Sequence, residues 1–563
     1  MKTLASGDWL VFLLYFIIVS LYGFWVYRSK RNADATSKDY FLAEGSLTWW
    51  AIGASLIASN ISAEQMIGMS GSGFKMGLAI STYEWMGGFT LIVVAIFFIP
   101  VYLRNKIFTM PQFLHERYNG TVAMVMAIFW LALYIVVNLM SILYLGALAL
   151  HGISGYDLNL CIGFLAVFAV IITLGGMKVI GYTDVIQVFV LILGGLVATY
   201  LALTLLSEKE GTHGLLNGFN IMLKEAPEHF HMIFHKDNAN YLDLPGLSVL
   251  IGGMWIVNLN YWGCNQYITQ RALGANMKTA RGGLLFAAFL KMLMPVIVVL
   301  PGIATYVLYQ KGMFHTEMLS SKGVQDVNKA YPALLNLLPT YMKGLSFAAL
   351  TAAIVASLAG KANSIATIFT LDIYKKAINP EASDKKLVNL GKMTVVVAMA
   401  LGVIMSLIIG DALMGEGKQG FQYIQEYTGF VSPGILAMFL LGFFWKKATS
   451  RAALFATIGG FGFSVLFKFL PNMMNLQFLS PFGFSKLNGE GVYEIPFLDR
   501  MGFVFILCVA GMWLISTLEG GNKNADDPHG LVVDTSMFKT SRAFTAGALI
   551  VGLILVALYS IFW

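Results

Sequence analysis

Residues 49–73 read WWAIGASLIASNISAEQMIGMSGSG. The stretch is long and apolar enough to cross a bilayer, yet its middle carries Ser55, Ser59, Asn60, Ser62, Glu64 and Gln65. Polar groups at that depth are costly unless they find partners, so they mark a binding cavity or ion path more often than a lipid-facing surface. Gly53, Gly68, Gly71 and Gly73 weaken a regular helix further. One or two serines could bond back to their own carbonyls in a packing helix. Six polar side chains within eleven positions, one of them an acid, do not fit that reading. The expectation is an interrupted helix whose freed carbonyls and side chains line a cavity.

The surrounding chain has the composition of a polytopic membrane protein. Of its 563 residues 57% are hydrophobic and 12% charged, with a mean hydropathy of +0.71; a soluble chain carries about twice that charge. Apolar windows of about twenty residues fall near 9–28, 47–71, 77–102, 121–150, 156–175, 182–206 and 246–267. They continue near 283–308, 344–376, 388–412, 420–445, 452–470, 500–517 and 542–562. The sequence therefore predicts an all-α membrane protein of about fourteen spans.

The net charge of +7 does not point to nucleic acid, because the basic residues sit in short loops at alternate exits. Arg28, Lys30, Arg31 and Lys38 follow the first span, Arg104, Lys106 and Arg117 the third, and Lys178 the fifth. Arg271, Lys278 and Arg281 follow the seventh, Lys375, Lys376, Lys385 and Lys386 the ninth, and Lys446, Lys447 and Arg451 the eleventh. The positive-inside rule then places both termini outside. The first span lacks a basic n-region of any size and reads as a retained helix, not a signal peptide. Cys161, Cys264 and Cys508 lie in apolar runs and are spaced like neither a disulfide framework nor a zinc site.

A second interrupted stretch, near 246–267, carries Asn258 and Asn260 among glycines. The first interrupted stretch opens a group of five spans over 47–206, and the second opens five more over 246–445. Five is odd, so the second group enters from the opposite side and the repeat is inverted. One span precedes the repeats and three follow within 452–563, so the whole chain, 1–563, reads as a single transmembrane domain. Paired broken helices in an inverted repeat point to a secondary transporter with its site near the bilayer midplane. His231 and His235 stand one helical turn apart in the loop 207–245, but without further clustered ligands they read as solvated loop residues. The loop GEGKQG at 415–420 lacks the spacing and the Ser or Thr of a phosphate loop, so an ATP-driven pump is not expected. No nucleophile–histidine pair supports an intramembrane hydrolase.

Several motifs resemble one family. SLIASNISAEQ at 55–65, YEW at 83–85, YWGCNQYITQR at 261–271, FTLDIY at 369–374, FQYIQEYTG at 421–429 and SMFKT at 536–540 are similar to the solute:sodium symporter family, nearest to its bacterial sodium/sugar members. The resemblance runs over nearly the whole chain. It implies the inverted five-plus-five fold, cation-coupled sugar import by alternating access, no enzymatic activity, and a bacterial inner (plasma) membrane location. Sugar, sodium and the lipid bilayer are the expected partners. By the same resemblance Gln65, Glu84, Asn258, Lys291 and Gln425 bind sugar hydroxyls, and Tyr261 stacks on the ring. Amides with one acid and one base suit hydroxyls that both donate and accept. Met69, Tyr83 and Phe421 match an outer hydrophobic gate. Lys291, inside the apolar run FAAFLKMLMP, needs a polar partner on physical grounds as well.

Two departures from the family bear on function. Gly87 stands where close relatives carry a sugar-contacting serine. The sodium site implied by the family uses carbonyls of Ala58, Ile61 and Ala353 and two adjacent hydroxyls, but those positions here are Ala356 and Ser357, with Lys361 four residues on. Side chains on a helix lean toward its N-terminus, so the Lys361 ammonium is expected near the level of Ser357, where it would replace sodium, or in a pair with Asp184. Sodium coupling is the main reading. A proton-coupled or uncoupled carrier with Lys361 in place of sodium is the alternative, and a membrane sugar sensor a further one. A sensor would carry a signalling domain, for which the polar stretch 518–541 is too short.

Overall fold

The outer surface is apolar, unlike that of a water-soluble protein, and this feature organises the architecture. Outward-facing positions are large and apolar, among them Leu10, Ile18 and Leu21 near the N-terminus, Ile408, and Leu549 and Leu553 near the C-terminus. The interior, mostly apolar, also holds Ser55, Ser59, Glu64, Gln65, Asp184, Arg271, Lys291 and Lys361. The computed structural model describes residues 4–29, 40–41, 47–319, 323–414, 419–520 and 531–563. Lys30, Arg31 and Lys38 of the first loop, and residues 415–418 of the glycine-rich loop, lie outside the described residues.

Among the described residues, ten helices are long and apolar enough to cross a membrane, and the bent pair Gly420–Thr428 and Ser432–Phe444 makes an eleventh. All fourteen apolar runs coincide with a helix or a group of short helices. The two counts differ at three places. The restart of the first broken helix merges into Glu64–Arg104, the second broken helix divides into short pieces, and Leu158–Thr173 is a shorter apolar helix.

The first break has a local cause. Helix Trp49–Asn60 ends at Ile61, whose backbone is extended (φ −81°, ψ 107°). Ser62 and Gln65 then form a new helix start. The Ser62 N–H and hydroxyl both donate to Gln65 Oε1, at 3.1 and 2.9 Å, and Glu64 N–H donates to Ser62 Oγ at 3.2 Å. This is a capping box, a Ser followed three residues later by Gln, and it offers the backbone an alternative to continuing the helix. The chain resumes as a π-helical turn, Glu64–Met69, and then as helix Ser70–Met76.

The second broken helix runs Gly253–Gly263, breaks at Cys264 and Asn265, and resumes at Gln266–Leu273. Tyr102 ties down a carbonyl at that break, donating to Gly263 O at 2.6 Å. Two long helices hold the broken ones in place. Met277–Gln310 packs closely enough that a Cβ at Gly302 would lie 2.0 Å from Ser70 O, the small-residue packing by which membrane helices approach. Met342–Thr367, buried over almost its whole length, lies against Trp49–Asn60, with Ser357 Oγ donating to Ser59 O at 3.1 Å. Each broken helix opens a run of further helices, with Ser6–Ser29 before the first and the C-terminal helices after the second.

Candidate functional site

A cavity lies at the breaks. The first broken helix contributes Asn60, Glu64 and Gln65, and the second Asn258, Asn260 and Tyr261. Thr82–Phe97 adds Tyr83 and Glu84, Met277–Gln310 adds Lys291, Met342–Thr367 adds Lys361, and Gly420–Thr428 adds Phe421 and Gln425. The six sugar-site candidates, Gln65, Glu84, Asn258, Tyr261, Lys291 and Gln425, therefore line one space although they come from five separate helical segments.

Lys291 has the polar partner its apolar surroundings demand. Its Nζ donates to Glu84 Oε2 at 2.5 Å and to Asn60 Oδ1, and stands 5.2 Å from the Trp262 ring centroid. Asn60 Nδ2 donates to the Tyr261 hydroxyl at 2.9 Å, and that hydroxyl also bonds Tyr267. Asn60 is thus the link between charge pair and aromatic wall, a role the family resemblance did not assign. Its place at the end of a helix, just before Ser62, is the sequence signal for it.

Polar capacity is left over around this chain of bonds. Among the described residues, Asn260 Oδ1 is buried without a partner and the Gln425 side chain forms no hydrogen bond. Asn258 spends its Nδ2 on Met254 O at 3.1 Å, and Gln65 uses its carbonyl on Ser62, leaving its amide nitrogen. Such unspent donors and acceptors suit a ligand rich in hydroxyls. Gly87 keeps the wall thin. A Cβ there would lie 3.1 Å from Asn258 Oδ1 and 3.2 Å from Trp262 Nε1.

At the gate positions, Tyr83 and Phe421 meet edge to face with ring centroids 5.0 Å apart, and Tyr83 donates to Gln422 Oε1 at 3.1 Å. Both line the cavity, whereas Met69 is fully buried nearby and is not part of the lining. Beyond them, Ser72 Oγ donates to Gln419 Oε1 at 3.3 Å, and Gln419 Nε2 donates to Asp243 Oδ2 at 3.2 Å. Burial holds the Asp243 carboxyl above its ordinary range.

Of the cation candidates, Ala58 and Ile61 lie at the C-terminal end of Trp49–Asn60, and Ala353 and Ser357 on Met342–Thr367, which packs against it. Because Ser62 N–H turns to Gln65, the Ala58 carbonyl loses its helical donor. Ala58, Ile61, Ala353 and Ser357 are all buried, and Ser357 is the hydroxyl that reaches across. Ala356 contributes no side-chain oxygen. Main-chain oxygens freed at a break, joined by a hydroxyl, are the donor set that binds sodium in discontinuous helices.

Lys361 is not at that place. Its Nζ stands 5.1 Å from the Tyr267 ring centroid and lines the cavity, and among the described residues no hydrogen bond or ion pair links it to Ser357, Ala58, Ile61, Ala353 or Asp184. Asp184 is taken by other groups: Ser55 Oγ donates to its Oδ2 at 2.5 Å, and Arg271 Nη2 lies 3.8 Å away. Arg271 also donates from Nε to Ser55 Oγ at 2.7 Å, and to Ser59 Oγ and Tyr267 O. Beside Lys278 and Arg281 it reads as a loop charge, yet it is 1% exposed. The expected pair of Lys361 with Asp184 is replaced by Arg271 with Asp184, because a planar fork satisfies two serines, a carbonyl and a carboxylate together. No cluster of three His, Cys, Asp or Glu side chains able to hold a metal exists among the described residues, His231 and His235 included.

Broken helices, an inverted repeat and a polar cavity at the breaks define a membrane transporter. A model of the sodium:solute symporter family matches residues 40–460, and the chain belongs to that family. It is 46% identical to the sodium/glucose cotransporter of Vibrio parahaemolyticus over 573 aligned residues, covering 100% of this chain and 99% of that one. It is 34% identical to the Homo sapiens sodium/myo-inositol cotransporter 2, covering 82% of this chain and 69% of that one. Among solved structures, a Na+-coupled sialic acid symporter in a substrate-bound outward-open state shares the fold, with a TM-score of 0.72 at 19% identity over 91% of this chain and 98% of that one.

Proposed function

We propose that the protein imports a hexose of the galactose or glucose class together with sodium, by alternating access. Gln65, Glu84, Asn258, Lys291 and Gln425 hold the sugar hydroxyls, Tyr261 carries the ring on its face, and Met69, Tyr83 and Phe421 close one end. Sodium sits among the carbonyls of Ala58, Ile61 and Ala353 and the Ser357 hydroxyl. The repeats span 47–206 and 246–445, with accessory helices over 452–563, in a bacterial inner membrane with both termini outside. The observation that carries this reading is the meeting of six sugar-site candidates in one buried cavity, built on the same break that frees the Ala58 carbonyl.

Coupling follows from that shared break. Occupancy of either site biases the geometry of residues 58–65, so each ligand favours the conformation the other needs, which is the condition for reciprocal linkage. A monovalent cation moving with the membrane potential supplies about 2.3 kcal/mol per 100 mV. Uptake of labelled galactose and glucose into proteoliposomes tests the reading. Sodium outside should raise uptake well above choline, and equal uptake in the two buffers would contradict it.

A further inference from the structure

The cavity holds a second lysine and glutamate, and the transport reading gives them no role. Lys361 and Glu64 both line it, as do Lys291 and Glu84. The two couples are joined differently. Lys291 touches Glu84 directly, at 2.5 Å. The Lys361 side chain makes no hydrogen bond or ion pair among the described residues; its Nζ stands 5.1 Å from the Tyr267 ring centroid, and Glu64 lines the same cavity. Glu64 holds Oε1 against Ser141 Oγ at 2.6 Å and leaves Oε2 unspent among the described residues. An ammonium has three donors and a carboxylate only acceptors, and neither rests cheaply in a membrane interior without a counterpart.

One group satisfies both at once: a hydroxyl, which accepts from Lys361 and donates to Glu64. A carboxylate would meet Lys361 but face Glu64 as a like charge. The four charged side chains of the cavity cancel, so a neutral ligand also preserves the balance. We propose that Lys361 and Glu64 form a second hydroxyl-binding point of the sugar site, and that this couple selects neutral hexoses against hexuronates. The inference rests on the sugar-transport reading and adds a specificity-determining pair to it.

Equilibrium binding to the purified full-length protein tests the pair. The probes are galactose or glucose, whichever binds more tightly, its monodeoxy analogues one at a time, and the matching hexuronate. One monodeoxy analogue should bind wild type about tenfold more weakly than the parent sugar. That penalty should vanish in Lys361→Met and in Glu64→Gln, while the penalties for the other analogues persist. A lysine with a merely structural role would weaken every analogue alike. The hexuronate should bind wild type at least tenfold more weakly than the neutral sugar and recover part of that loss in Glu64→Gln. Should Lys361→Met fail to insert, Lys361→Gln reads the same cycle. Unchanged penalties for all analogues in these variants, or a hexuronate binding wild type as tightly as the hexose, would overturn the proposal. Binding of neither galactose nor glucose would overturn the sugar reading and this inference with it. Binding of the hexose with no analogue coupled to Lys361 would remove this inference alone.

Discussion

Among the buried cations near the breaks, Arg271 and Lys291 are held in opposite ways. The Arg271 guanidinium is enclosed: its donors go to Ser55, Ser59 and Tyr267, and Asp184 lies 3.8 Å away. Lys291 faces the cavity, bonded to Glu84 and Asn60 but surrounded by groups with capacity to spare. A fully engaged fork fixes structure, because releasing it leaves several partners unpaired at once. An ammonium on a flexible stem can trade one acceptor for another as a ligand arrives. Under the proposed function, the first cluster is scaffold beneath the cation site and the second serves substrate exchange.

Removing the enclosed cation should do the most damage. Arg271→Met leaves Asp184 buried without its counter-charge, and thermal unfolding in detergent should show a loss of about 3–5 kcal/mol. Arg271→Lys should recover only part of it, since a point charge cannot reproduce the fork. The same substitution at the open site should act on binding instead. Lys291→Met should weaken sugar by about 2 kcal/mol or more, with a smaller change in unfolding temperature than Arg271→Met. Equal destabilisation by both would erase the distinction between the clusters.

Smaller effects sharpen the picture of the open site. Gln65→Ala, Asn258→Ala and Gln425→Ala should each weaken sugar binding by about 1–2 kcal/mol without preventing membrane insertion, as read by binding to purified protein. Wild-type affinity in all three would move the site elsewhere. Gly87→Ser should change affinity least, by about 1 kcal/mol, because the new side chain presses on Asn258 and Trp262. Its signature should be an altered ratio of galactose to glucose affinity.

The contrast also marks what a linear sequence reveals. The first break is legible because six polar side chains crowd an apolar run, whereas the cap of Ser62 on Gln65 that starts the new helix is seen only in the structure. The need of Lys291 for a partner is legible from its apolar neighbours, but Glu84, 207 positions away, is linked to it only by the fold. Arg271 is hidden for a different reason. It ends a span beside Lys278 and Arg281, where burial and solvation look identical in sequence, and its serines lie 216 and 212 positions away. Helical geometry fixes the level of Lys361 but not the direction its stem takes, and the ring of Tyr267 draws it toward the cavity instead of toward Ser357. Counting crossings fails at the broken helices, where one apolar run becomes several short pieces.

The central claim is that sugar and sodium share the break at residues 58–65. Its most direct test is the dissociation constant of galactose or glucose measured at equilibrium in sodium and in choline, for wild type and Ser357→Ala. The account predicts tighter sugar binding in sodium, by a factor of about 5–150, and a shift to higher sodium concentrations in Ser357→Ala. A sugar dissociation constant that is the same in sodium and choline would contradict it.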